Sequence, residues 1–176
     1  MLTVLVIDES RSRAGEICAG LALAGYQVAA ILAGADNLTA EVERLQPDVI
    51  LIDTDSPSRD TLENLAAMNK DMPRPVVVFT QEEAPDTMRD ALKAGVSAYV
   101  VAGLDPKRIK TIVDVARVRF EDTQALRREL DEISKKLSDR KLVDKAKGVL
   151  MKARGLDEDA AYHAMRKLAM ERGQTM

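Results

Sequence analysis

The chain has 176 residues, of which 46% are hydrophobic and 31% charged, and its formal net charge is −3. That length allows one domain of ordinary size with an appended segment, and it is short for two full-sized domains. The composition is typical of a globular protein, and no apolar run is long enough to cross a bilayer. Because the N-terminal residues lack the basic flank and cleavage site of a signal peptide, we expect a cytoplasmic protein.

Strands and helices are predicted to alternate over the first 120 residues. Apolar, mostly β-branched runs predict buried strands, and the amphipathic stretches between them predict helices. This order predicts an α/β fold with a doubly wound, five-stranded parallel sheet, because parallel neighbours need a crossover helix. The predicted strands are 3–7, 27–32, 49–52, 76–79 and 98–101, and the predicted helices are 12–24, 39–45, 61–69, 86–94 and 106–118.

Carboxylates follow the first and third predicted strands. Asp8 and Glu9 end the first strand, Asp53 ends the third, and Thr80 ends the fourth. Groups at the carboxyl ends of parallel strands share one crevice, and carboxylate oxygens suit Mg²⁺. We therefore predict that Asp8 and Glu9 hold the metal, that Asp53 is the nucleophile of a phosphoryl transfer, and that the Thr80 hydroxyl binds phosphoryl oxygens. Any one of these acids alone is better explained as a loop or cap residue.

A long helix is predicted to continue beyond the α/β domain. Apolar or small residues recur at heptad spacing, and we expect residues 121–137 to form a coiled-coil linker that makes the protein a homodimer. The alternative is a single amphipathic helix lying on the body, but its other faces are too polar for burial. The predicted dimer contacts are Ala116, Leu126, Leu130, Ile133 and Leu137.

Two further helices are predicted in a C-terminal module, residues 138–176. The first covers 141–154 and stops at Gly155, and the second covers 158–171 after the N-cap Asp157. Thr175 has the position of a cap for a third helix that we expect to be missing. Residues 141–176 carry 8 basic and 5 acidic side chains, whereas residues 1–120 carry 13 and 18. This asymmetry is compatible with a polyanionic partner at the C-terminal end.

Residues 1–120 resemble a two-component receiver domain. The resemblance implies that Asp55 lends its backbone carbonyl to a bound Mg²⁺ and that Tyr99 is the aromatic residue whose rotation follows Thr80 on activation. The family's Lys-Pro pair after the fifth strand is replaced by Ala102 and Gly103, which puts phosphorylation in doubt because that lysine compensates phosphoryl charge. The matching segments are 4–9, 47–53, 77–80 and 94–99.

Residues 138–172 resemble the start of an ANTAR domain, the RNA-binding module of AmiR- and NasT-type transcription antiterminators. The motifs that match are Ala-Lys-Gly-Val-Leu-Met at 146–151 and Ala-Tyr-His-Ala-Met-Arg at 161–166. RNA recognition needs cations for phosphate and planar groups for unpaired bases, although Tyr162 is about as compatible with a core position. The predicted RNA-binding residues are Lys145, Lys147, Gly148, Met151, Tyr162, Arg166 and Lys167.

The combined resemblance implies a non-enzymatic regulator that binds two-hairpin leader RNA. Within the family, the segment 53–60 is most similar to NasT-type nitrate-assimilation regulators, which a nitrate-sensing partner of the NasS type controls. Two alternatives remain. One is a phosphorylation-driven regulator with a DNA output, which two short helices fit poorly, so we expect no DNA partner. The other is a protein-interaction switch, controlled by phosphorylation or by a partner, that binds no RNA.

Overall fold

The computed structural model describes residues 1–9, 13–101, 105 and 107–173. The chain forms two compact units, Met1–Thr123 and Gln124–Met176. Three positions discussed above, Ala102, Gly103 and Thr175, lie outside the described residues. No helix in the described ranges is both long enough and apolar enough to span a membrane.

The first unit contains the predicted five-stranded parallel sheet, with strand order β2-β1-β3-β4-β5. The three central strands are almost wholly buried, whereas the edge strands β2 and β5 are partly exposed. This difference follows from the position of each strand, because only a central strand is covered by neighbours on both sides. The strands are β1 (Thr3–Asp8), β2 (Gln27–Leu32), β3 (Val49–Asp53), β4 (Val76–Thr80) and β5 (Ala98–Val101).

The helices agree with the predicted ones to within three residues at most of their ends. One exception is the fifth helix, which runs without a break from Ile109 to Arg154 and thus includes the helix predicted separately over 141–154. Gly148 lies inside it, where a glycine lowers helix stability without ending the helix. The helices are α1 (Ala14–Leu23), α2 (Leu38–Leu45), α3 (Arg59–Asp71), α4 (Pro85–Lys93), α5 (Ile109–Arg154) and α6 (Glu158–Glu171).

The two faces of the sheet carry separate hydrophobic cores. Alternate residues of a strand point to opposite faces, and accordingly Leu5 and Ile7 belong to one core while Val4 and Val6 belong to the other. The start of α5 packs on the second core through its buried residues Ile109, Val113 and Ala116. This arrangement confirms the predicted doubly wound fold.

Ala116 requires a correction. We predicted it as a dimer contact, but it is fully buried in the core of the first unit and has no surface left for a second chain. A heptad pattern alone does not distinguish a helix face that packs on its own domain from one that meets another helix. The other four predicted contacts are 55–66% exposed, namely Leu126, Leu130, Ile133 and Leu137.

The second unit contains the C-terminal part of α5, followed by α6. Gly155 ends α5 with a φ of 64°, a left-handed conformation that glycine adopts without strain. Asp157 caps α6, since its Oδ1 accepts a hydrogen bond of 2.7 Å from the Ala160 amide. Both local features agree with the sequence prediction.

Candidate functional site

The carboxyl ends of β1 and β3 bring two predicted site residues side by side. Asp8 and Asp53 are paired in the register of these strands, and their exposed fractions are 2% and 0%. Thr80 ends β4, the next strand of the sheet, and is also fully buried. The sheet therefore brings Asp8, Asp53 and Thr80 to one edge. We call the four predicted metal ligands, Asp8, Glu9, Asp53 and Asp55, the acidic cluster.

A cation that the sequence analysis missed lies against this cluster. The Arg13 Nε atom is 2.9 Å from Oδ2 of Asp53, and its Nη2 atom is 3.6 Å from Oδ1 of Asp55. The Arg13 side chain is 25% exposed, whereas the Asp53 side chain is fully buried. The sequence could have indicated Arg13, because the residues after β1 lie at the same edge of the sheet as Asp53.

Glu9 and Asp55 interact with protein groups of the neighbouring elements. The Thr61 hydroxyl of α3 donates a hydrogen bond of 2.6 Å to Oε1 of Glu9. The backbone carbonyl of Asp55 accepts hydrogen bonds from the Thr80 hydroxyl at 2.8 Å and from the Gln81 amide at 3.2 Å. The Thr80 hydroxyl thus donates to a carbonyl of the β3–α3 loop in this structure.

Tyr99, the predicted partner of Thr80, lies on β5 and is half-buried. Its hydroxyl donates a hydrogen bond of 3.1 Å to the backbone carbonyl of Glu82. Burial raises the pKa of Tyr99 above its usual value, and the nearby Thr80 side chain opposes that shift. Tyr99 and Thr80 are therefore neighbours, as the predicted switch pair requires.

Burial is the main influence on the pKa of the Asp53 carboxyl. It raises the pKa of Asp53 because the charged form loses its hydration. The Arg13 guanidinium opposes that shift, and the charges of Asp8 and Asp55 add to it. Both carboxylate oxygens of Asp53 are buried and accept no hydrogen bond from the described part of the chain, so Arg13 contacts Asp53 as an ion pair. Arg13 is thus the main group that favours ionised Asp53.

Receiver domains typically bind Mg²⁺ at this site. In the present arrangement the acidic cluster does not fit a divalent ion. Arg13 lies against Asp53, and the Asp55 carbonyl already accepts two hydrogen bonds. Among the described residues, no group of three His, Cys, Asp or Glu side chains is placed to hold a metal. The Mg²⁺ ligand set Asp8, Glu9, Asp53 and Asp55 is therefore not assembled here.

The predicted RNA-binding residues of the second unit differ in exposure. Lys145, Arg166 and Lys167 are exposed, and Tyr162 is 43% exposed, so its ring is available on the surface of α6. Gly148 and Met151 are half-buried. Three cations and one aromatic ring thus remain accessible among the seven predicted residues.

Lys147 has a structural partner. Its Nζ atom lies 2.5 Å from Oε1 of Glu158 and 3.3 Å from Oδ1 of Asp144, and its side chain is only 19% exposed. The hydrogen bond to Glu158 raises the pKa of Lys147. Lys147 therefore links α5 to the start of α6, and its charge is largely compensated within the module.

An open groove of about 620 Å³ lies between the two helices of the second unit. Its lining is mainly apolar and includes Leu142, Val149 and Leu168, with Lys145 and Arg172 also contributing. The three apolar side chains are 50–62% exposed. The pair of helices thus presents an apolar surface next to cationic side chains.

The geometry of the first unit is that of receiver domains. A CheY-like receiver domain protein from Methanospirillum hungatei superposes with a TM-score of 0.60 at 21% identity, covering 70% of this chain and 98% of that one. This similarity establishes the fold. The response regulator receiver domain family matches residues 4–114, and the ANTAR domain family matches residues 131–176.

Two curated relatives extend the comparison beyond the fold. The transcriptional regulatory protein PdtaR of Mycobacterium tuberculosis is 29% identical over 152 residues, which are 86% of this chain and 74% of the relative. The nitrate regulatory protein of Klebsiella oxytoca is 37% identical over 67 residues, or 38% of this chain and 17% of that protein.

The chain belongs to the response regulators, with a receiver domain followed by an ANTAR domain as in the AmiR/NasT-type proteins. This is a regulatory, non-enzymatic family whose ANTAR domain binds RNA. The family match to the ANTAR domain begins at residue 131, within α5.

Proposed function

We propose that this protein is a transcription antiterminator that binds the hairpins of a leader RNA in the cytoplasm. The proposal rests on one observation, the match of residues 131–176 to the ANTAR domain family. Its exposed cations Lys145, Arg166 and Lys167 can contact phosphates, and the ring of Tyr162 can stack on an unpaired base.

The proposed active form is a homodimer. Leu126, Leu130, Ile133 and Leu137 follow one another at steps of four, three and four residues on α5, and each is more than half exposed. Because four- and three-residue steps alternate, every second residue of the series is seven residues further along, which is the heptad spacing of a coiled-coil seam. A dimer would present two ANTAR domains, one for each hairpin of a two-hairpin RNA.

We further propose that a protein partner, rather than phosphate, supplies the signal. Asp53, the candidate phospho-acceptor, is buried and paired with Arg13, and a phosphodonor would have to displace that pair. The similarity of 67 residues to a nitrate regulatory protein supports target genes of nitrate assimilation. By the resemblance to NasT-type regulators, the partner would be a nitrate-sensing protein of the NasS type. Accordingly, Asp53→Asn should leave RNA affinity nearly unchanged.

Binding to a structured two-hairpin RNA over a series of salt concentrations tests the proposal. The triple variant Lys145→Gln, Arg166→Gln, Lys167→Gln should bind more weakly. Its slope of log affinity against log salt should be smaller by roughly 2 to 3, since each phosphate contact contributes about 0.7 to 0.9. The control makes the same charge change in the receiver domain with Lys70→Gln, Lys93→Gln and Lys110→Gln. This variant should have the RNA affinity and the salt dependence of the wild-type chain.

Two outcomes would contradict the proposal. An equal loss of RNA affinity in both triple variants would mean that only the net charge of the protein attracts RNA. Absence of RNA binding by the wild-type chain would leave the protein-interaction switch as the leading account. A duplex DNA competitor of the same sequence should not displace the RNA, and efficient displacement would favour a DNA output.

A further inference from the structure

Arg13 and Asp53 form an ion pair within the first unit. Arg13 is the N-cap residue before α1 and Asp53 ends β3, and their side chains meet at an Nε to Oδ2 distance of 2.9 Å. Asp53 is fully buried, so its charge has little access to water. A buried carboxylate needs a counterion nearby, because burial strongly penalises an unpaired charge.

Arg13 also reaches a second acid of the cluster. Its Nη2 atom is 3.6 Å from Oδ1 of Asp55, whose side chain is 80% exposed. The guanidinium therefore lies between a buried and an exposed carboxylate, and its flat, forked shape allows it to contact both. Arginine remains charged at every physiological pH, so this counterion is permanent.

We propose that Arg13 is a positioning residue that serves as the built-in counterion of Asp53 and competes with divalent cations for the acidic cluster. A dication that coordinates Asp53 would come within a few ångströms of the guanidinium, and like charges at that distance repel strongly at a partly buried site. Binding of the dication therefore requires Arg13 to move away from Asp53.

Titration of the full-length chain with Mn²⁺ tests this directly, with the loss of the free-ion electron paramagnetic resonance signal as the readout. Arg13→Gln should lower the Kd for Mn²⁺ by at least about tenfold, because it removes the competing charge. Arg13→Lys, which keeps the charge, should bind Mn²⁺ as weakly as the wild-type chain. The control is Arg44→Gln, which removes an exposed arginine paired with Glu41 on α2 and should change nothing.

A double variant establishes where the ion binds. Adding Asp53→Asn to Arg13→Gln should abolish the gain in affinity, since the liberated carboxylate is the proposed ligand. Circular dichroism checks folding first, and Arg13→Met, which keeps much of the aliphatic length, replaces Arg13→Gln if that variant unfolds. An equal Kd for the wild-type chain and the charge-removing variant would refute the proposal, as would a gain that persists without the Asp53 carboxylate.

Discussion

Replacing Leu130 and Ile133 together by asparagine should convert the proposed dimer into a monomer. In the single chain these side chains are 66% and 55% exposed, so more than half of each is available for burial against a second helix. Complete burial of such a side chain contributes about 1.5–3 kcal/mol, and the exposed part therefore contributes roughly 1–2 kcal/mol. A dimer buries four of them, which gives about 4–8 kcal/mol, or three to six orders of magnitude in the dimer Kd.

Sedimentation velocity over a concentration series measures this change. The matched control replaces two leucines that are exposed but lie outside the seam, Leu23 and Leu92, whose exposed fractions are 85% and 49%. Those substitutions remove a similar apolar area from the surface and should leave the mass in solution unchanged. If the Leu130 and Ile133 variant keeps the mass of the wild-type chain, the coiled-coil assignment is incorrect.

Three further outcomes follow from the first unit. Gly95→Ala should lower the free energy of unfolding by about 2–4 kcal/mol in urea denaturation, because Gly95 has a φ of 99° and a Cβ there would lie 2.3 Å from Nδ2 of Asn69. Gly34→Ala, where no atom beyond the adjoining residues lies within 4 Å of the added carbon, should be nearly neutral. Burial raises the pKa of Asp53, so its carboxyl stabilises the fold at acid pH, and that contribution is lost as the pH rises. Relative to the wild-type chain, Asp53→Asn should therefore become more stable as the pH rises above about 4, and a constant difference would contradict this. Burial and the hydrogen bond to Asp114 raise the pKa of Tyr26 to about 12. An ultraviolet titration should show one tyrosine ionising near that pH and losing its stabilising bond there, and Tyr26→Phe should abolish this step.

The sequence by itself determined the elements of this protein. Alternation between strand and helix periodicity defined five strands and the helices between them, and the structure confirms that order. Gly155 and Asp157 marked the end of one helix and the start of the next because their preferences are properties of single residues and nearest neighbours. The sequence also predicted that Asp8, Asp53 and Thr80 lie at one edge of the sheet, since parallel strands all end on the same side.

The tertiary structure alone decided which side chains meet. Ala116 and Leu130 both fit the same heptad pattern, yet one is buried in the receiver core and the other is 66% exposed. Arg13 and Asp53 are 40 positions apart in the sequence, and only the pairing of β1 with β3, which puts the residues after β1 next to the end of β3, brings the guanidinium to the carboxylate. Lys147 is likewise paired by the approach of α6. Periodicity predicts which face of a helix is apolar. It does not predict which residue that face contacts, because the contact depends on distances between segments that are far apart in the sequence.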